Sequence, residues 1–96
     1  MNMVITTIEV KSENIDEFVS IWQEGSTEVK SFEGFKAGYL VTNRDLGKAV
    51  IVGLGETAAN AAAFSNSTVF QTVMGKLKPL TTNQPAREFF EISGQT

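Results

Sequence analysis

The sequence predicts a single α+β domain, with one antiparallel sheet covered by helices on one face and the element order β-α-β-β-α-β. Three observations lead there. The chain opens on a β-branched run of period two, two stretches of helical apolar spacing are separated by a pair of closely spaced strands, and one of those strands is apolar at both parities. With 96 residues the chain fits one core, which buries roughly 65% of the surface exposed by the unfolded chain. The domain therefore spans residues 1–96.

Val4, Thr6, Ile8 and Val10 alternate with Ile5, Thr7 and Glu9, which reads as the first strand. Asn14, followed three places on by Glu17, resembles a capping box. Ile15, Phe18, Val19, Trp22 and Val29 then fall at helical spacing, predicting a long helix that ends near Phe32. Gly25 and Ser26 lie on the apolar face of that helix, where small side chains would let it sit close to a sheet.

Phe32-Glu33-Gly34-Phe35 supplies a turn. Phe35, Ala37, Tyr39 and Val41 alternate with Lys36, Gly38, Leu40 and Thr42 as the second strand, and Asn43 to Gly47 is a polar turn whose Arg44 and Asp45 read as turn residues only. Ala49 to Leu54 is a third strand, paired with the second as an antiparallel hairpin and apolar on both sides, as in strands covered on both faces. Thr57 is placed to cap an alanine-rich helix through Phe64. After a polar break at Ser65 to Thr68, the helical pattern resumes with Val69, Phe70, Val73, Met74 and Leu77 until Pro79 stops it, and Arg87 to Ile92 forms a last short strand.

This order is the split βαβ, ferredoxin-like arrangement. Its helices cover one sheet face, so apolar residues of both parities leave a second face needing cover. Ile5, Ile51 and Phe89, or their opposite-parity neighbours, would expose more than the few hundred Å² typical of monomers, and a homodimer built through the open sheet face is expected.

Composition excludes several classes of function. The formal charge is −3 and the eight basic residues are scattered, so the electrostatic footprint of a nucleic-acid binder is missing. Cysteine and histidine are both absent, which removes thiolate chemistry, the commonest general base and the commonest metal ligand, and no metal site is expected. No apolar run approaches the length of a membrane span, no leader pattern opens the chain, and a cytoplasmic location is expected.

Few residues are candidates for chemistry. Gly53-Leu54-Gly55-Glu56 lacks the third glycine and the lysine of a nucleotide loop; the two glycines instead mark a place where something, a ligand included, approaches the backbone closely. Asp16, Glu17, Glu24 and Glu28 read as a solvated helix face, and Glu56 as an acid beside a helix N-terminus. Trp22, Tyr39, Phe64, Phe70 and Met74 are able to line a pocket between helices and sheet or simply to fill the core. Ser65 to Thr68 suits either a polar ligand group or a helix cap.

The element order, together with Phe32-Glu33-Gly34-Phe35-Lys36-Ala37-Gly38, the hairpin Asn43-Arg44-Asp45, the strand running into Glu56-Thr57-Ala58, and Ser67-Thr68-Val69-Phe70, resembles the antibiotic biosynthesis monooxygenase domain family. The resemblance covers nearly the whole chain and implies a dimeric α+β barrel, in which the sheets of two ferredoxin-like subunits pack face to face. It further implies oxidation of quinol-like or polyketide-like aromatics by oxygen with no cofactor. Thr6, Trp22, Tyr39, Phe64, Phe70 and Met74 are then the substrate-binding candidates, Tyr39 being the leading hydrogen-bond donor to a developing oxyanion, Thr6 the second and Trp22 a stacking wall.

One branch of that family degrades haem, and at its asparagine, tryptophan and histidine positions this chain has Thr6, Gly55 and Met74, which disfavours haem chemistry. Gly55 also stands where monooxygenase-type members often carry tryptophan, and a glycine there is expected to enlarge the pocket or leave it without its aromatic wall. The alternative is a non-catalytic ligand-binding or interaction domain on the same dimeric scaffold; isomerisation of a small lactone follows only from fold analogy. A closed pocket of at least roughly 300 Å³ beside Tyr39 and Thr6 would favour the enzyme, a filled core the binding domain.

Overall fold

The computed structural model describes residues 1–96. Strand β1 (Asn2–Glu9) leads through a short 3-10 turn to helix α1 (Ile15–Ser26), which continues as a 3-10 segment, Thr27–Ser31. The hairpin β2 (Phe35–Asn43) and β3 (Lys48–Gly55) follows, then α2 (Ala58–Ser65), α3 (Thr68–Leu77) and β4 (Ala86–Glu91). The four strands form one sheet in the order β2-β3-β1-β4, and every pairing is antiparallel. This is the ferredoxin-like α+β fold expected from the sequence, with β1 and the two-sided strand β3 at its centre. No helix is long and apolar enough to cross a membrane.

The helices lie on one face. Along β1, Val4, Thr6 and Ile8 are buried beneath them, as are Ala49, Ile51, Gly53 and Gly55 along β3. Phe18, Ile15 and Leu77 reach down from α1 and α3 and are fully buried. Side chains of that size each contribute about 1.5–3 kcal/mol through the apolar surface they remove from water. The buried core divides into two clusters. One joins Ile8, Val10, Ile15, Phe18, Ala49, Ile51, Val73 and Leu77, and the other joins Val4, Val29, Ala61 and Phe64.

Of the helix caps read from the sequence, the one at Asn14 fails and those at Thr57 and in the Ser65 to Thr68 break form. Asn14 makes no side-chain cap, because the preceding 3-10 turn already holds its backbone at φ −101° and ψ −1°, outside the extended conformation that a capping residue needs. Thr57 does cap α2, accepting from the Asn60 amide at 3.1 Å. The polar break after Phe64 is also a cap, with Ser67 Oγ accepting from the Phe70 amide at 3.1 Å and donating to the Phe64 carbonyl at 2.7 Å. Gly25 does not bring α1 to the sheet. It faces α3, where a Cβ would stand 2.4 Å from a methyl of Val73, so the missing side chain sets the approach of the two helices.

Arg44 is more than a turn residue. Its guanidinium pairs with Asp16 in the first turn of α1, and its carbonyl accepts from the Ser12 hydroxyl, tying the β2–β3 hairpin to the start of the helix. Both partners of the ion pair are well exposed, so the link contributes at most about 1 kcal/mol and acts mainly to orient the hairpin.

Candidate functional site

Where the two core clusters fail to meet, an open-mouthed cavity of about 620 Å³ lies between the helices and the sheet. Its floor comes from Val4 and Thr6 of β1 and from Ile51 and Gly53 of β3. Trp22 of α1 and Val29 of the 3-10 segment wall one side, Phe64 of α2 and Phe70 of α3 the other, and Phe35 stands at the start of β2. The Phe35 and Phe64 rings meet edge to face, 5.4 Å between centroids and 82° between planes, a favoured geometry for an aromatic pair.

A β-bulge decides which side chains of β2 reach the cavity. Phe35 pairs with Gly55, yet Ala37, two residues on, pairs with Leu54, which faces the other way. The extra residue at Lys36 therefore reverses the parity of the strand. Gly38 and Leu40 fall on the helix side with their partners Gly53 and Ile51, while Ala37, Tyr39 and Val41 fall on the open side with Leu54, Val52 and Val50. With no side chains at Gly38 and Gly53, the main chain of neighbouring residues, Tyr39 and Val52 among them, borders the cavity.

The sequence candidates thus separate. Thr6, Trp22, Phe64 and Phe70 come together around one cavity. Tyr39 touches its edge through the main chain, but its phenol stands on the opposite sheet face and the residue is 55% exposed, so the proposed donor is aimed away from the space it was to serve. Met74 lies elsewhere, half-buried against the first core cluster and bordering a polar surface hollow with Lys78 and Thr81. Val29 and Phe35 line the cavity without having been singled out. The helical spacing of Val29 and the position of Phe35 beside the Gly34 turn were compatible with core packing alone.

Both strand glycines mark a close approach, and neither does so by enlarging the cavity. A Cβ on Gly55 would stand 2.8 Å from the Ala61 backbone nitrogen, so this glycine lets α2 rest on the sheet and adds no room to the cavity. A Cβ on Gly53 would stand 2.7 Å from the Phe64 ring, which occupies that space itself. The close approach read from the sequence is made by the protein's own helix.

Chemically, the lining is mostly apolar, with Gln23, Ser26 and Thr27 adding polar groups at the α1 end. Thr6, only 3% exposed, is the buried polar side chain of the lining. No carboxylate borders the cavity, and its ionisable side chains are Lys30 and Lys36 at the mouth. Glu56 is directed outward, with its carboxylate 3.9 Å from the Lys36 ammonium. No set of three or more acidic, histidine or cysteine side chains gathers anywhere in the chain. Of the positions compared with the haem-degrading branch, Thr6 lines the cavity, Gly55 is covered by α2 and Met74 lies outside the cavity.

No family model and no curated protein matches the sequence at a significant level. Solved structures do match in fold. A Nitrosomonas europaea protein assigned as an antibiotic biosynthesis monooxygenase superposes with a TM-score of 0.83 at 14% identity, over 98% of this chain and 100% of its own. SnoaB, a cofactor-independent oxygenase from Streptomyces nogalater, superposes with a TM-score of 0.78 at 14% identity, over 98% of this chain and 94% of its own. A conserved protein from Methanosarcina mazei Go1 gives 0.81 at 13% identity, over 94% and 90%. At these identities the likeness establishes the shared fold. The chain has the fold of the antibiotic biosynthesis monooxygenases.

Proposed function

We propose that this protein is a cofactor-independent monooxygenase that oxidises electron-rich, quinol-like or polyketide-like aromatic molecules with dioxygen. The observation that carries the reading is the aromatic-walled cavity with the Thr6 hydroxyl in its floor, set in a fold shared with a cofactor-independent oxygenase. At about 620 Å³ the cavity is large enough for a compound of two or three fused rings, well above the roughly 300 Å³ at which small-molecule sites begin.

Such a reaction asks little of protein side chains. The substrate loses a proton to give a stabilised anion, that anion reduces dioxygen, and a methylene that becomes a carbonyl takes up one oxygen atom while the other leaves as water with the two hydrogens. The protein supplies apolar stacking surfaces and a hydrogen bond to the developing oxyanion. Trp22 provides a stacking wall, and with the Tyr39 phenol turned away the donor is Thr6.

The open sheet face supports a homodimer. Ile5 of β1, Val50, Val52 and Leu54 of β3, Tyr39 and Val41 of β2 and Phe90 of β4 share that face by register; Ile51 and Phe89 have the opposite parity and lie on the helix side. Tyr39, Val41 and Phe90 are 55%, 51% and 46% exposed in the single chain, an apolar surface that a second copy would cover.

A non-catalytic ligand-binding domain uses the same cavity, and the absence of any carboxylate from the lining is the observation on its side. Oxygen-electrode assays over a panel of hydroquinones and anthrones, with chelator present and no added flavin or nicotinamide, separate the two. Uptake well above the buffer rate for at least one compound is expected; none for any compound, with binding retained, would leave the binding domain.

A further inference from the structure

We infer that the cavity selects ring compounds that carry a carboxylate, held at the mouth by Lys30 and Lys36, an inference that rests on reading this cavity as the substrate site. The chain has 11 acidic residues against 8 basic ones, so a surface drawn evenly from its composition would place more acids than bases around any opening. None of the residues lining this one is acidic and two are lysines; Glu56 stands outside the lining, its carboxylate 3.9 Å from the Lys36 ammonium.

Each lysine is put there by a distinct local feature. Lys36 is the bulge residue of β2, and bulges re-aim side chains at the rims of sites. Lys30 ends the 3-10 segment that follows α1 and has no ion-pair partner within 4.0 Å. Lys36 is only loosely engaged, since its ammonium stands 3.9 Å from Glu56 and its side chain is 46% exposed. The cavity therefore presents cationic donors at the mouth, a mostly apolar lining with Gln23, Ser26 and Thr27 at the α1 end, and the Thr6 hydroxyl beneath. A molecule that matches it puts its rings inward and its negative group outward, where charge-assisted hydrogen bonds to the ammonium groups form without burial of an unpaired charge.

The test uses three probes with one ring system, 2-naphthoate, 2-naphthalenemethanol and 2-naphthylmethylammonium, titrated against the full chain at neutral pH by calorimetry and ligand-observed NMR. At low ionic strength naphthoate is expected to bind about tenfold tighter than the alcohol, with the ammonium compound weakest. Raising the salt should shrink that advantage, because the charges lie at a solvent-accessible rim. In the double variant Lys30→Gln, Lys36→Gln the ratio of naphthoate to alcohol affinity should fall to about one. Equal binding of all three probes by the native protein, or a salt-independent ratio, would overturn the carboxylate preference while leaving the cavity a binding site. No binding of any probe would overturn both.

Discussion

Gly38 and Gly53 are cross-strand partners beneath the cavity, and the absence of both side chains leaves this part of the sheet as bare main chain. The two positions are not equivalent. A Cβ on Gly38 meets the Phe35 ring edge at 3.3 Å, a contact that a small ring shift relieves, whereas a Cβ on Gly53 meets Phe64 at 2.7 Å and Val4 at 3.1 Å. Gly38→Val is expected to fill cavity space, weakening aromatic ligands at least several-fold with little loss of stability. Gly53→Ala should instead cost about 1–3 kcal/mol through overpacking. Thermal melts and ligand titrations on the same two variants check both halves; a ligand affinity unchanged in Gly38→Val would place the ligand elsewhere.

Thr6→Val removes the only buried hydroxyl of the lining while keeping shape and β-branching. If this hydroxyl holds the developing oxyanion, turnover should fall by about 10²-fold, the usual loss on deleting one such donor, with ligand affinity nearly unchanged. Tyr39→Phe should leave turnover within about twofold, since its phenol stands on the other sheet face. Steady-state oxygen uptake by the two variants decides; a larger loss in Tyr39→Phe than in Thr6→Val would reverse the assignment.

Ile5 lies near the middle of the open face, across from Val52 and Glu88 on the neighbouring strands. Buried between two sheets, a glutamate here would be an unpaired charge set beside the like charge of Glu88, costing several kcal/mol. Light scattering at micromolar concentration is expected to give a dimer mass for the native chain and a monomer mass for Ile5→Glu, with similar far-ultraviolet circular dichroism. A strictly monomeric native protein would remove the dimer.

Haemin titration followed by absorption should show no saturable Soret shift. The chain has no histidine or cysteine to ligate iron, and the positions compared with the haem-degrading branch are a glycine covered by α2 and a methionine outside the cavity. A tight one-to-one shift would mean that another face of the molecule accepts the ring.

The sequence by itself determined the element order, the central place of β3 and the cap at Thr57, because each is written in local pattern: period two, two-sided apolarity, and a hydroxyl followed by a helical run. It also marked Gly53 and Gly55 as sites of close approach, and brought Thr6, Trp22, Phe64 and Phe70 forward as lining residues. Tertiary structure alone decided that Phe64 and Ala61 make that approach, and that Gly25 serves a helix–helix contact with Val73. It alone decided the fate of Tyr39. Phe35, Lys36, Ala37, Gly38 and Tyr39 alternate without interruption in the sequence, and nothing in their identities announces a bulge. The bulge exists because Phe35 is paired to Gly55 and Ala37 to Leu54 on another strand, and a one-residue slip in such pairing carries every later side chain to the opposite face.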